Sequence, residues 1–229
     1  MYSVKAIFNA LFPATCACCG EVMMAGERHV CVGCLADLTR TGYSYYSDNP
    51  AERILAGRIP LVHATAMLRY VKGNTVQKLV HAMKFHGHSE LCLAVGRQLG
   101  LELMASGRFD DVEVLLPVPL HWCRRMQRGY NQSELICRGM AGVMPRTIST
   151  GNLVRHRYTR KQSRQTKELR DSNVDGAFSV RHPQRLADKH VLLVDDVMTT
   201  GATLTACADA LATVPGLRIS IATLSMAGA

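Results

Sequence analysis

Apolar positions along this chain fall into short unbroken runs and runs spaced three and four apart, and from residue 64 onward the two kinds alternate. Residues 64–71 predict a strand ending near Arg69 and Tyr70. Val76, Leu79, Val80 and Met83 form a helical stripe, and Lys84-Phe85-His86-Gly87-His88 closes it with a turn. Residues 89–105 predict a second helix, apolar on most sides and therefore buried. Residues 114–116 make a short strand, and Pro117-Val118-Pro119 stops any helix there. Residues 131–144 read as the next helix, 147–154 as a strand and 177–180 as another. A strand over 190–194, a helix continuing through Ala212 and a last strand over 218–224 complete the series. Such alternation predicts an α/β domain with a doubly wound, mainly parallel sheet.

The strand over 190–194 carries the most chemistry. Its apolar core suits burial on both faces of a parallel sheet, and Asp195 and Asp196 fall at its carboxyl end, the edge where open α/β sheets bind ligands. Two carboxylates there can accept hydrogen bonds from neighbouring ribose hydroxyls. The amides of Thr199, Thr200, Gly201, Ala202 and Thr203 open the following helix, presenting donors and a positive dipole end to a phosphate. The three threonines add hydroxyl donors, and Gly201 permits close backbone approach. Helix capping alone accounts for an Asp before a Thr/Gly turn, but it does not require strand, paired carboxylates and phosphate cradle in this order. The run from Val191 to Thr203 resembles the signature of type I phosphoribosyltransferases, the loop that grips 5-phosphoribosyl-1-pyrophosphate. Asp195, Asp196 and Thr199 to Thr203 are the ligand-binding residues this implies.

Upstream, Cys16-x2-Cys19 and Cys31-x2-Cys34 are separated by eleven residues. Two such turns aim four thiolates at one centre, which suits a tetrahedral structural Zn2+. Two disulfides or a redox motif are the competing readings. Nine cysteines, an odd number, favour a reducing compartment and so a cytoplasmic protein. Cys18 is a spare thiol beside the first pair. With four protein ligands no position is open for catalysis, so the metal folds a small module. Residues 1–60 are expected to hold this module and a short amphipathic helix over 6–12, which is too interrupted for a signal peptide. Residues 61–229 form the main domain. No apolar stretch reaches the roughly 18 residues of a membrane span.

The net charge of +9 is concentrated. Residues 121–170 hold twelve Arg and Lys against Glu134 and Glu168, a local +10, while residues 1–60 carry five basic and five acidic side chains. A pyrophosphate needs two or three cationic partners, so twelve is a surplus. Trp122, Tyr130 and Tyr158 are interleaved with these charges, a composition that suits tracking a single nucleic-acid strand by phosphate contacts and base stacking. Each aromatic is equally well placed as core.

With these landmarks the whole chain resembles the ComF (GntX-like) family. Matching residues are the paired CxxC turns, Tyr70-Val71-Lys72-Gly73, Lys84-Phe85-His86-Gly87, Pro117-Val118-Pro119-Leu120, and Arg124-Arg125-Met126-Gln127-Arg128-Gly129-Tyr130-Asn131-Gln132. Further on come Gln162, Arg170, Asn173-Val174 and Gly176-Ala177-Phe178. Gln165 departs from the pattern, where the family usually has an apolar residue. The resemblance implies a type I phosphoribosyltransferase fold with an N-terminal zinc module, and a role in DNA uptake and natural transformation alongside DNA-uptake proteins. It places Arg124, Arg125 and Arg128 where a pyrophosphate loop lies, a Mg2+ with the phosphoribosyl ligand, and a mobile loop over 155–170. The expected function is binding of phosphoribosyl pyrophosphate and single-stranded DNA. The alternative is an active phosphoribosyltransferase delivering phosphoribose to a nitrogen nucleophile, as an amidophosphoribosyltransferase does. No acceptor pocket is identifiable in the sequence, and no catalytic residue is assigned.

Overall fold

The computed structural model describes residues 13–84, 88–156 and 176–228. The expected helix over 6–12, the centre of the turn at 85–87, Tyr158 and the arm from Arg157 to Arg170 lie outside the described residues.

Among the described residues the chain forms seven strands and seven α-helices. After a short helix α1 (Val32–Ala36), a 3-10 turn (Tyr43–Tyr45) and α2 (Pro50–Leu55) come β1 (Leu61–Tyr70), α3 (Thr75–Ala82) and α4 (Ser89–Ser106). Then follow β2 (Val114–Pro117), α5 (Trp122–Arg128), α6 (Gln132–Ala141), β3 (Thr147–Ile148), β4 (Leu153–Arg155), β5 (Phe178–Val180), β6 (His190–Met198), α7 (Ala202–Leu211) and β7 (Arg218–Ala227). The main sheet has the order β1-β7-β6-β2-β3 with every pairing parallel, and β4 and β5 make a separate antiparallel hairpin.

Each face of the sheet buries its own core. One contains Leu79, Val80 and Met83 of the α3 region, Leu99 and Leu103 of α4, Ile136 and Met140 of α6, and Cys16, Val30 and Cys34 of the cysteine segment. The other contains Leu55 of α2, Leu204 and Leu211 of α7, and Leu153 and Phe178 of the hairpin. Alternate residues of β6 serve the two cores, Leu192 and Val194 one and Val191 and Leu193 the other, as period-two side chains on a doubly covered strand must. The doubly wound α/β expectation therefore holds. Residues 43–59 pack in the second core, on the face of the sheet opposite the cysteine segment.

Glycines set the closest helix contact. A Cβ on Gly96 of α4 would lie 2.3 Å from the Ile136 carbonyl oxygen of α6, and one on Gly139 of α6 would lie 2.2 Å from that of Leu93. The two helices meet backbone to backbone.

Several expected elements differ. The strand over 147–154 is two strands in different sheets, because Gly151 at φ +71° and Asn152 turn the chain between them. The helix over 131–144 ends at Ala141. The strand over 190–194 continues to Met198: beyond Val194 it keeps its pairing with β7 after β2 has ended at Pro117. Helices α1, α2 and α5 were not expected from periodicity. All three are five to seven residues long, too short for a repeating stripe. For α2 a local signal exists, since Asn49 accepts from the amides of Ala51 and Glu52 and Pro50 opens the helix.

Candidate functional site

The continuation of β6 past β2 positions the carboxylates. Val118 N donates to Val194 O at 2.9 Å, the chain then leaves the sheet, and Asp195 and Asp196 stand at the edge it vacates. Asp195 Oδ1 accepts from its neighbour's amide, Asp196 N, at 2.9 Å and from Ser133 Oγ at 3.0 Å. Burial, reinforced by the charge of Asp196, pushes Asp195 up to about 7. A pair of like charges at a desolvated edge calls for cations. Lys84 Nζ lies 3.8 Å from Asp196 Oδ2. Arg128 is half-buried close to both carboxylates; burial opposes its charge while Asp196 and Asp195 favour it.

The motif Arg128-Gly129-Tyr130-Asn131-Gln132-Ser133 builds this arrangement. Asn131 caps α6 by accepting from Ser133 N and anchors to Val118 O through its side-chain amide. Gln132 Nε2 donates to Met83 O at 3.2 Å and its Oε1 accepts from Arg128 Nη1 at 2.9 Å. Tyr130 donates its hydroxyl to the same Met83 carbonyl. The loop is thus tied to the end of α3, which also carries Lys84. Sequence reasoning missed Lys84 and Ser133 as site residues; a loop that spends three polar side chains on anchoring was the available signal.

The Thr/Gly turn lies beside the pair. Gly201 at φ +79° is the N-cap of α7, and a Cβ there would also lie 2.8 Å from Leu55 Cδ2, so both conformation and close approach require glycine. Arg58 Nη1 holds Thr200 O at 3.0 Å. Ala202 N donates to Thr200 Oγ1 at 3.5 Å, and the first-turn amides of α7 have no acceptor inside the helix, so the turn presents a positive dipole end at this edge. Thr199 is exposed and Thr200 half-buried.

Of the expected arginines, Arg124 and Arg128 are half-buried on α5. Arg125 is exposed and reaches Glu134 at 3.9 Å. Arg155, on β4, lies 5.3 Å over the Phe178 ring and electrostatically close to Arg124 and Asp195. Tyr130 is held in the core margin, whereas Trp122 is 68% exposed on α5 with Met126 one turn on, also exposed.

The four cysteines converge. The sulfurs of Cys16, Cys19, Cys31 and Cys34 all lie within 4.8 Å of one another. A tetrahedral zinc with Zn–S bonds of about 2.3 Å sets its sulfurs about 3.8 Å apart, and Cys19 Sγ and Cys31 Sγ are 3.7 Å apart. Cys18 N and Cys31 N donate to Cys16 Sγ. Burial works against the Cys16 thiolate, but the backbone N–H groups outweigh it and bring the thiol down to about 6. Cys18 is pushed up to about 12 by burial and by the charge of Cys16, and stands outside the ligand set. The donor set fits a structural zinc.

A Ser–His–Asp array also exists at the opposite end of the strands. Asp111 Oδ1 is 3.0 Å from His190 Nδ1, and His190 Nε2 is 2.9 Å from Ser220 Oγ. Ser220 and His190 are fully buried and Ser220 Oγ accepts from His63 N, so the array locks strand ends together.

Residues 136–229 match the model of the phosphoribosyl transferase domain. The chain is 28% identical over 204 residues to the DNA utilization protein YhgH of Escherichia coli (strain K12), across 84% of this chain and 88% of that one. It is 33% identical over 129 residues to YhgH of Salmonella typhimurium, across 55% and 56% of the two chains. It is 30% identical over 132 residues to Competence protein F of Haemophilus influenzae, across 55% and 57%. Among solved structures, the allosteric regulatory enzyme of purine biosynthesis is similar at a TM-score of 0.36 and 15% identity; the match covers 81% of this chain and 30% of that one. No helix among the described residues is long and apolar enough to cross a membrane.

Proposed function

Taking as premise that this chain is a homologue of the DNA utilization and competence proteins and carries a phosphoribosyl transferase domain, we propose that it binds phosphoribosyl pyrophosphate and single-stranded DNA in the service of DNA uptake. The observation that supports this reading most is the Asp195–Asp196 pair at the vacated sheet edge, beside the first turn of α7 and faced by Lys84 and Arg128. Asp195 and Asp196 hold the ribose hydroxyls, and Thr199 to Thr203 hold the 5-phosphate. Arg124 and Arg128 face the pyrophosphate. Oxygen donors of this hardness suit Mg2+, which would neutralise pyrophosphate charge when bound by the two carboxylates.

The surplus of cations over 121–170 supports the nucleic-acid part. Exposed Trp122 supplies a stacking face beside Arg124 and Arg125. Zn2+ on the four cysteines fastens residues 13–36 to the core that also contains α4 and α6. Residues 1–60 and 61–229 are the proposed units, and the cysteine usage supports a cytoplasmic location. DNA-uptake proteins are the proposed partners.

One incubation separates this reading from the transferase alternative. Purified protein with Mg2+, phosphoribosyl pyrophosphate and a mixed pool of nucleobases and amines is expected to bind ligand without releasing pyrophosphate. Release that depends on one pool member would make the chain a transferase.

A further inference from the structure

A cavity of about 470 Å³ lies at the edge of the sheet formed by β3, with Thr147, Ser149, Thr150, Asn152, Arg181 and Arg185 in its wall. None of its residues belongs to the carboxylate site. Val114 in the wall pairs with Val191, four residues before Asp195 and so about 13 Å away along β6. The two sites are separate. The opposite sheet edge is covered, since Thr39 and Thr41 hydrogen-bond along β1.

The ionisable side chains of the wall are Arg181, His182 and Arg185, all basic. Most arginines elsewhere that face acid groups are paired, as Arg53 with Asp48, Arg108 with Glu52, Arg138 with Glu134 and Arg218 with Asp111. Among the described residues the guanidinium groups of Arg181 and Arg185 have no such partner. Both side chains are exposed, but the backbone that carries them is held. Asn152, buried, donates through Nδ2 to His182 O at 3.2 Å and accepts from His182 N at 2.8 Å, while Arg181 N donates to Asn152 O. Arg185 N donates to His182 O, and Leu186 is buried behind it. Two cations on a held loop, facing the hydroxyls of Thr147, Ser149 and Thr150 with no carboxylate in the wall, suit a phosphate oxyanion.

Position selects the kind of phosphate. The β4–β5 hairpin rises from this cavity: Leu153 pairs with Val180 at the near end and Arg155 with Phe178 at the far end. Arg157, Arg160, Lys161 and Arg164 follow directly in sequence. Leu153 and Arg155 are two residue steps, about 7 Å, apart along β4, so the cavity lies that close to Arg155 and to the point where the described chain leads into this basic sequence.

We infer that the cavity between β3 and the loop 181–186 is a second phosphate site, taking one or two backbone phosphates of the single-stranded nucleic acid that the chain binds. The inference rests on the nucleic-acid part of the proposed function. Its test is the salt dependence of binding of a labelled single-stranded oligonucleotide to the full chain. In Arg181→Ala/Arg185→Ala the slope of log affinity against log salt should fall by about 0.7 for one phosphate or about 1.4 for two, which narrows the wild-type advantage about threefold or about sevenfold between 50 and 200 mM salt. Arg181→Lys/Arg185→Lys keeps the charges and should keep the slope. Binding of phosphoribosyl pyrophosphate should be unchanged in both, which also certifies the fold. An unchanged slope in the alanine variant overturns the inference and leaves the nucleic-acid reading standing; a wild-type chain that binds no oligonucleotide overturns both. Inorganic pyrophosphate that binds Asp195→Asn/Asp196→Asn but not the same chain with both arginines removed, with the oligonucleotide slope unaltered, would assign the cavity to a free phosphate and overturn the strand assignment.

Discussion

Ser133 Oγ donates to Asp195 Oδ1 at 3.0 Å, and Ser133 N is capped by Asn131. The N-terminus of α6 and the carboxylate pair therefore form one unit, assembled by the loop that also carries Arg128. Ser133→Ala removes a hydrogen bond to a carboxylate, worth about 1.5–3 kcal/mol. Calorimetry with phosphoribosyl pyrophosphate should show affinity reduced roughly tenfold or more. Affinity equal to wild type would detach Ser133 from the site.

The same carboxylate gives a pH signature. Burial and Asp196 place Asp195 at about 7, against 3.8 for a free side chain. Between those values the folded chain retains a proton that the unfolded chain has released, so this group makes stability fall as pH rises from about 4 to about 7 and level off above. Asp195→Asn cannot ionise. In zinc-loaded protein without Mg2+ or ligand its Tm minus that of wild type should grow from pH 5 to pH 7.5, and a difference independent of pH contradicts the assignment.

Chelation should loosen one face of the molecule. Cys16, Val30 and Cys34 share a core with Leu99 and Met140, so loss of zinc reaches α4 and α6. Elemental analysis should find about one zinc per chain, lost in Cys19→Ser together with part of the thermal stability. A metal-free chain of undiminished Tm would contradict the structural role.

The α4–α6 contact makes a sharper stability prediction. Gly139→Ala gains about 1 kcal/mol of helix propensity, but its Cβ would meet Leu93 O at 2.2 Å, and backbone cannot move aside as a side chain can. Overpacking of this kind costs about 1–3 kcal/mol, so the net effect is destabilising. A lowered Tm is the expected outcome, and a raised one would show that the helices separate freely.

Strands buried on both faces were legible because β6 and β2 carry apolar runs too short for helices, and the helical stripe at Val76, Leu79, Val80 and Met83 marked α3 within a residue at its start. The carboxylate pair and the four cysteines were legible because spacing alone brings them together. What sequence could not show was contact between distant elements. Lys84 reaches Asp196 across 112 positions, and Ser133 reaches Asp195 across 62, through packing that leaves no periodic trace. The turn at Gly151 and Asn152 was concealed by the β-branched residues flanking it. Tyr130 had equal claims as core and as platform, and its bond to Met83 O decides for core.

Trp122 retains the platform role. Its ring is exposed, so Trp122→Ala should leave Tm unchanged while weakening single-stranded oligonucleotide binding by about 1–3 kcal/mol. Equal affinity of the variant for single-stranded oligonucleotide would remove base stacking at α5 from the account.

The central claim is that Asp195 and Asp196 grip a phosphoribosyl ligand. Isothermal titration of phosphoribosyl pyrophosphate with Mg2+ into wild type and into Asp195→Asn/Asp196→Asn tests it most directly. Each substitution keeps side-chain shape while removing a charged acceptor, at about 1.5–3 kcal/mol apiece. The account predicts saturable binding to wild type and loss of at least a hundredfold in the double variant, with the fold intact by Tm. Wild-type affinity in the double variant, or no binding to wild type, would contradict it.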